Sequence, residues 1–114
     1  MQECMFCRIA SGEQVSERVY QDDLVTAFHD IRPAAPIHIL IIPNRHIASL
    51  NDLRPQDANL VGHLLLVARQ VAMDQGIAEQ GYRLIVNTGH DGGQVVYHLH
   101  LHLLGGMRIR TTSV

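Results

Sequence analysis

The chain has 114 residues, 46% of them apolar, enough for one hydrophobic core and too few for two. Charged residues make up 18% and the formal net charge is -2, so the balance gives no reason to expect DNA, RNA or an anionic membrane surface as a partner. The most apolar stretch, Ile37 to Ile42, carries His38 and falls far short of the roughly 20 residues a membrane-spanning helix needs.

The chain opens on Met1-Gln2-Glu3-Cys4, which lacks the basic segment and long apolar run of a secretory signal. A cytoplasmic protein is the expectation, with residues 1–114 as one domain. Cys4 and Cys7 follow. A disulfide between them would close a very small loop and restrict little chain entropy. In a reducing compartment a C-x2-C pair more often binds metal or does redox chemistry. A short helical turn is predicted from Phe6 to Ala10, ended by Gly12. Glu17 to Gln21 and Leu24 to His29 read as two strands with Asp22-Asp23 at the turn. Arg32-Pro33-Ala34-Ala35-Pro36 is a loop, because two prolines withhold backbone donors. His38 to Ile42 is a β-branched strand that stops at Pro43.

Pro55 suits the first position of a long helix and Asp57 its first turn. Leu60, Leu64, Val67, Ala68, Val71 and Ala72 recur at three- and four-residue spacing, which marks one buried face. Gly76 is the expected terminator. Tyr82 to Val86 reads as a strand, Asn87 to Gly93 as a turn-rich loop, and Tyr97 to Leu104 as the last strand before Gly105-Gly106. Strands, one long helix, then strands argue for an α+β fold with an antiparallel sheet.

Eight histidines in so short a chain point toward metal binding, phosphate chemistry, or both. The sharpest feature is His98-Leu99-His100-Leu101-His102-Leu103-Leu104. Alternate side chains of a strand share a face, so the three histidines point one way and the leucines between them point into the core. The Cα atoms of His98 and His102 should lie about 13 Å apart. The three rings can line a groove but cannot comfortably share one metal ion. An H-x-H pair, His100 and His102, chelating a hydrolytic zinc is the alternative at this point. Just upstream, Asp91-Gly92-Gly93-Gln94 resembles an anion-binding turn, since glycines let backbone N–H groups approach a phosphate.

His98 to Leu104 fits the H-φ-H-φ-H-φ-φ signature, φ being apolar, and the chain resembles the histidine triad family over nearly its whole length. Ala27-Phe28-His29-Asp30-Ile31, Pro36-Ile37-His38, Ile42-Pro43-Asn44-Arg45-His46, Val86-Asn87 and Gly92-Gly93-Gln94 look like that family's blocks, in order. The Hint branch of nucleoside phosphoramidases is the nearest fit. The resemblance implies five-stranded antiparallel sheets, each with one long helix and a short N-terminal helix, joined across a homodimer into one continuous sheet. It implies a nucleotidyl intermediate on His100, with His102 and His38 touching the phosphate oxygens and Asn87, Gly93 and Gln94 nearby. Asp30 would accept hydrogen bonds from the ribose hydroxyls. Phe6, Ile9, Phe28, His29, Ile31 and Leu40 would hold a purine base. Taken alone, Phe6, Ile9, Phe28 and Leu40 read as ordinary core residues, and His38 as a core histidine.

Several bacterial members of the family resemble this chain in pairing the C-x2-C motif with two histidines. The matching set here is Cys4, Cys7, His46 and His98. Two thiolates and two imidazoles complete a closed tetrahedral set, so the zinc would be structural. One position departs from the pattern. Val95 stands where Hint proteins usually carry Ser or Thr, which removes a hydroxyl near the leaving group. A dinucleoside polyphosphate hydrolase of the same family, or a nucleotide-binding partner protein with incidental hydrolysis, are the alternatives to a phosphoramidase.

Overall fold

The computed structural model describes residues 4–110. Helix α1 runs Met5–Ser11, and the Cys4 thiol caps it by accepting the Cys7 N–H at 3.4 Å. Gly12 ends it at φ 90°, a left-handed conformation open to glycine, and returns its N–H to the Ile9 carbonyl. Strands β1 (Arg18–Gln21) and β2 (Val25–His29) follow. Asp22 makes the turn between them, its Oδ1 accepting the N–H groups of Leu24 and Val25 at 2.8 Å each. Strand β3 is Ile37–Pro43, helix α2 is Ala58–Asp74, and strands β4 (Arg83–Ile85) and β5 (Leu101–Gly105) complete the sheet. The five strands run in the order β1-β2-β3-β5-β4, every neighbouring pair antiparallel.

The register decides what each face carries. Ala27 pairs with Ile41, and Ile41 with Leu101, so these side chains share one face. That face packs on Leu64, Val67, Ala68, Val71 and Ala72 of α2, the stripe legible in the sequence, with Leu60 half-buried at its edge. Phe28 pairs with Leu40, and Leu40 with His102, on the opposite face. There Phe28, Leu40 and Ile42 meet Phe6 and Ile9 of α1 in a second cluster. Burying a side chain of this size contributes about 1.5–3 kcal/mol, which holds so short a helix where its own propensity could not. The sheet thus separates α2 from a face carrying α1 and the histidines.

The last strand differs from expectation. The sequence pattern places it at Tyr97 to Leu104, but β5 begins at Leu101. By register the residue opposite Pro43 would be Leu99, and Pro43 has no N–H to give the ladder. The Pro43 carbonyl is taken instead by His98 Nε2, at 2.8 Å, and the Leu99 N–H goes to the Ile47 carbonyl. His98 and His100 therefore stand on a segment leading into the strand. The side-chain alternation survives, with Leu99, Leu101 and Leu103 buried in the α2-side core. Two shorter differences concern the helix region. Pro55–Asp57 is a 3₁₀ turn before α2, and a second such turn, Leu50–Asp52, capped by the Ser49 hydroxyl, has no clear sequence signal. Among the described residues no helix is long and apolar enough to cross a membrane.

Candidate active site and metal centre

His100 is buried, and its Nδ1–H donates to the His98 carbonyl at 2.6 Å. That bond fixes the tautomer and leaves the lone pair on Nε2. The Phe6 ring stands perpendicular to the imidazole, with centroids 5.2 Å apart, and the His102 ring centroid lies 4.9 Å away. His100 is thus held in one orientation by a carbonyl and two rings.

His102 and His38 form a second unit. Their nearest nitrogens, His102 Nδ1 and His38 Nε2, are 3.0 Å apart. The direction of this bond follows from the far side of His38, whose Nδ1 accepts the Ala34 N–H at 2.9 Å. A ring nitrogen that accepts carries no hydrogen, so His38 is protonated on Nε2 and donates to His102. His102 then carries its own hydrogen on Nε2. Asp30 Oδ2 lies 3.4 Å from the same His38 Nε2, and Asp30 Oδ1 accepts the Arg32 N–H at 2.8 Å. Burial pushes the His102 pKa down to about 4, and neighbouring His100 and His38 push the same way against Asp30. Burial likewise lowers that of His38, with Asp30 opposing. Both rings are neutral at pH 7, and the pair acts as a neutral donor relay.

Phe6, Ile9, Phe28 and Leu40 are assembled beside His100 as one apolar cluster. The remaining candidates are placed differently. His29 pairs with Ile39, so strand alternation turns it to the face opposite Phe28. Ile31 and Val95 are each 87% exposed. The Gly92-Gly93-Gln94 turn uses its own donors: the Gly93 N–H goes to the His90 carbonyl and the Gln94 N–H to the Gly89 carbonyl. Asn87 gives one amide hydrogen to the Gly92 carbonyl. A side chain at Gly92 would put its Cβ 2.3 Å from the Thr88 carbonyl oxygen, so close backbone approach demands glycine there. Gln94 is buried and acts as a clamp. Its Nε2 donates to the Ala48 and Val96 carbonyls, and its Oε1 accepts the Gly89 N–H.

Cys4, Cys7, His46 and His98 converge, with all four ligand atoms within 4.8 Å of one another. Cys7 Sγ is 3.2 Å from His46 Nδ1 and 3.5 Å from His98 Nδ1, and Cys4 Sγ is 3.4 Å from His98 Nδ1. Because His98 Nε2–H is committed to Pro43, its Nδ1 presents a lone pair to the cluster. These residues fit a metal ion. Asp30, His38 and His102 also lie within such a radius, but the Ala34 hydrogen bond keeps a hydrogen on the very nitrogen of His38 that would have to ligate. That trio does not fit one. Burial raises the Cys7 thiol pKa to about 11, reinforced by Cys4.

His63 belongs to no motif in the sequence. Its Nε2 lies 2.6 Å from Asp22 Oδ2, which also accepts the Tyr20 hydroxyl. Burial works against the Asp22 carboxylate. Its hydrogen bonds from Tyr20, Leu24, His63 and Val25 prevail and hold its pKa well below the usual range. The bond ties α2 to the β1–β2 turn, away from the triad.

Residues 3–111 match the family described as "Scavenger mRNA decapping enzyme C-term binding". Over 105 residues the chain is 54% identical to the purine nucleoside phosphoramidase of Escherichia coli (strain K12), covering 92% of this chain and 88% of the relative. A HIT family hydrolase from Legionella pneumophila superposes with a TM-score of 0.94 at 48% identity, covering 96% of this chain and 97% of that one.

The chain belongs to the histidine triad family.

A histidine triad protein from Clostridium difficile, 43% identical, superposes with a TM-score of 0.95 over 97% of this chain and 96% of that one. The histidine triad of this chain is therefore His98, His100 and His102, and the fold expected from the resemblance, an antiparallel five-stranded sheet with one long and one short helix, is the fold observed.

Proposed function

We propose that this histidine triad protein hydrolyses purine nucleoside 5′-phosphoramidates through a nucleotidyl-His100 intermediate. The observation that carries the reading is the 2.6 Å bond from His100 Nδ1–H to the His98 carbonyl, which leaves Nε2 as an unprotonated nucleophile. The name of the Escherichia coli relative supplies the substrate class. Nε2 attacks the α-phosphorus, the P–N bond to the amine breaks, and the amine leaves neutral after taking a proton from solvent. Water then attacks the phosphorus, returning one proton to solvent, the P–Nε2 bond breaks, and the nucleoside monophosphate leaves with His100 restored. His102 Nε2–H, oriented by His38, donates to the phosphoryl oxygens as charge builds on them. The Phe6, Ile9, Phe28 and Leu40 cluster receives the base, and Asp30 the ribose hydroxyls.

The ion suited to Cys4, Cys7, His46 and His98 is zinc, in a structural role, since two thiolates and two imidazoles leave no open position for substrate. Such a thiol-rich site accords with action in the reducing cytoplasm. A homodimer accords with β4 as the outer strand of the sheet and with Leu65, Leu66 and Met73 exposed on α2.

Incubation with adenosine 5′-phosphoramidate, acid quench and peptide mapping tests the reading. AMP attached to the peptide holding His100 is the expected result. Faster turnover of diadenosine polyphosphates than of the phosphoramidate would overturn the substrate class.

A further inference from the structure

We propose that the metal centre controls the nucleophile through His98, a metal ligand by its side chain and the tautomer-setting acceptor of His100 by its backbone. The inference rests on the phosphoramidase reading of His100 and adds a positioning role for His98 in the same reaction.

His98 is fully buried and held at three points. Its Nδ1 faces both sulfurs, its Nε2–H meets the Pro43 carbonyl at 2.8 Å, and its own carbonyl receives His100 Nδ1–H at 2.6 Å. The segment carrying that carbonyl lies outside the sheet, because β5 begins only at Leu101. No strand ladder fixes residues 98–100, so a ligand bond from His98 to a metal would take over the task a ladder would perform. The Leu99 N–H reaches the Ile47 carbonyl, next to His46, another ligand. The second route is Phe6, which lies between Cys4 and Cys7 in the sequence. Its ring centroid is 5.9 Å from that of His98 and 5.2 Å from that of His100. One ion held by Cys4, Cys7, His46 and His98 would therefore anchor both the carbonyl and the aromatic wall that orient the attacking ring.

The consequence is chemical. A neutral imidazole without a partner at Nδ1 favours the hydrogen on Nε2, and the partner of one nitrogen decides the state of the other. If the His98 carbonyl drifts, the hydrogen moves to the nitrogen that must attack. Substrate binding would suffer less than chemistry, since Leu40, Phe28 and Asp30 sit on β2, β3 and the turn between them, and only Phe6 and Ile9 of the base cluster ride on α1 beside the two cysteines.

The test compares zinc-loaded, chelator-stripped and zinc-restored protein by 15N-histidine NMR, first-turnover nucleotidylation and AMP affinity. Loaded protein should show His100 with its hydrogen on Nδ1. Stripping should shift that signature toward Nε2–H and slow the first turnover at saturating substrate by about tenfold or more, a larger loss than the accompanying fall in AMP affinity. Zinc should restore all three. A stripped, folded protein with an unmoved His100 resonance and an undiminished first turnover overturns the proposal. If stripping unfolds the chain, exchange of zinc for the larger cadmium in the folded protein replaces it, and an unmoved His100 resonance again overturns the proposal. Failure of loaded protein to nucleotidylate His100 would remove the phosphoramidase reading. The resonance comparison would still decide the coupling.

Discussion

His38 donates its Nε2–H to Nδ1 of His102 at 3.0 Å, and the Ala34 N–H on the far nitrogen of His38 sets that direction. On the proposed reading His38 would act on the phosphate through His102, and not by the direct contact the resemblance implies. Replacing His38 with Ala removes one hydrogen bond of about 1–1.5 kcal/mol net, so kcat should fall by roughly tenfold. His38→Gln, which keeps a donor, should recover part of the loss. Steady-state kinetics on adenosine 5′-phosphoramidate checks this. A loss as deep as that of His100→Ala would mean that His38 touches the reacting atoms itself.

His100→Ala removes the proposed nucleophile and leaves the Phe28 and Leu40 cluster in place. Turnover should fall by a factor on the order of a thousand or more, with AMP affinity within a few-fold of wild type. Turnover near normal in this variant would end the covalent mechanism.

Asp30→Ala tests nucleoside recognition. The carboxylate already serves the loop, accepting the Arg32 N–H at 2.8 Å, and each oxygen retains a further lone pair for a ribose hydroxyl. Hydrogen bonds to a charged group contribute roughly 1.5–3 kcal/mol, so AMP affinity should drop about ten- to a hundredfold. A 2′,3′-dideoxy nucleotide should lose little. Equal losses for both ligands, measured by isothermal titration, would assign Asp30 to the turn and to His38 alone.

Acid should destabilise the fold in a defined window. The pKa values of His102 and His38 are depressed in the folded chain, that of His102 to about 4, and each ring regains its ordinary value when unfolded. The unfolded state therefore binds more protons as pH falls from about 6.5 toward about 4, and stability drops through that interval. Urea midpoints at pH 7, 6 and 5 should decline in that order. The decline should be shallower in His102→Gln, which removes one of the titrating rings.

Protein purified without added metal should carry about one zinc per chain by elemental analysis. Because the metal-free Cys7 thiol is protonated at pH 7, zinc binding should release its proton. Titration calorimetry in buffers of different ionisation enthalpy reads that directly. Chelation should lower the melting temperature. Zinc-free, reduced protein that melts at the same temperature would contradict a structural role.

The sequence alone determined the two faces of the sheet, because alternation at His98 to His102 and helical spacing from Leu60 to Ala72 are periodic and local. The candidate metal set, Cys4, Cys7, His46 and His98, came through the resemblance to bacterial members of the family, and the structure brings the four together. What the sequence could not hold was backbone chemistry. The start of β5 at Leu101, the Pro43 carbonyl on His98, the Ala34 N–H on His38 and the turn bonds that occupy the Gly93 and Gln94 donors all involve main-chain groups every residue carries. Their partners are chosen by which strands lie side by side, and that is decided only when the chain is folded. The same limit hid His63, whose partner Asp22 lies 41 residues away. Side-chain types and the family resemblance named the candidate residues; the tertiary structure decided which nitrogen of His38, His98, His100 and His102 holds the hydrogen, because a tautomer follows from the hydrogen-bond partner and not from the residue itself.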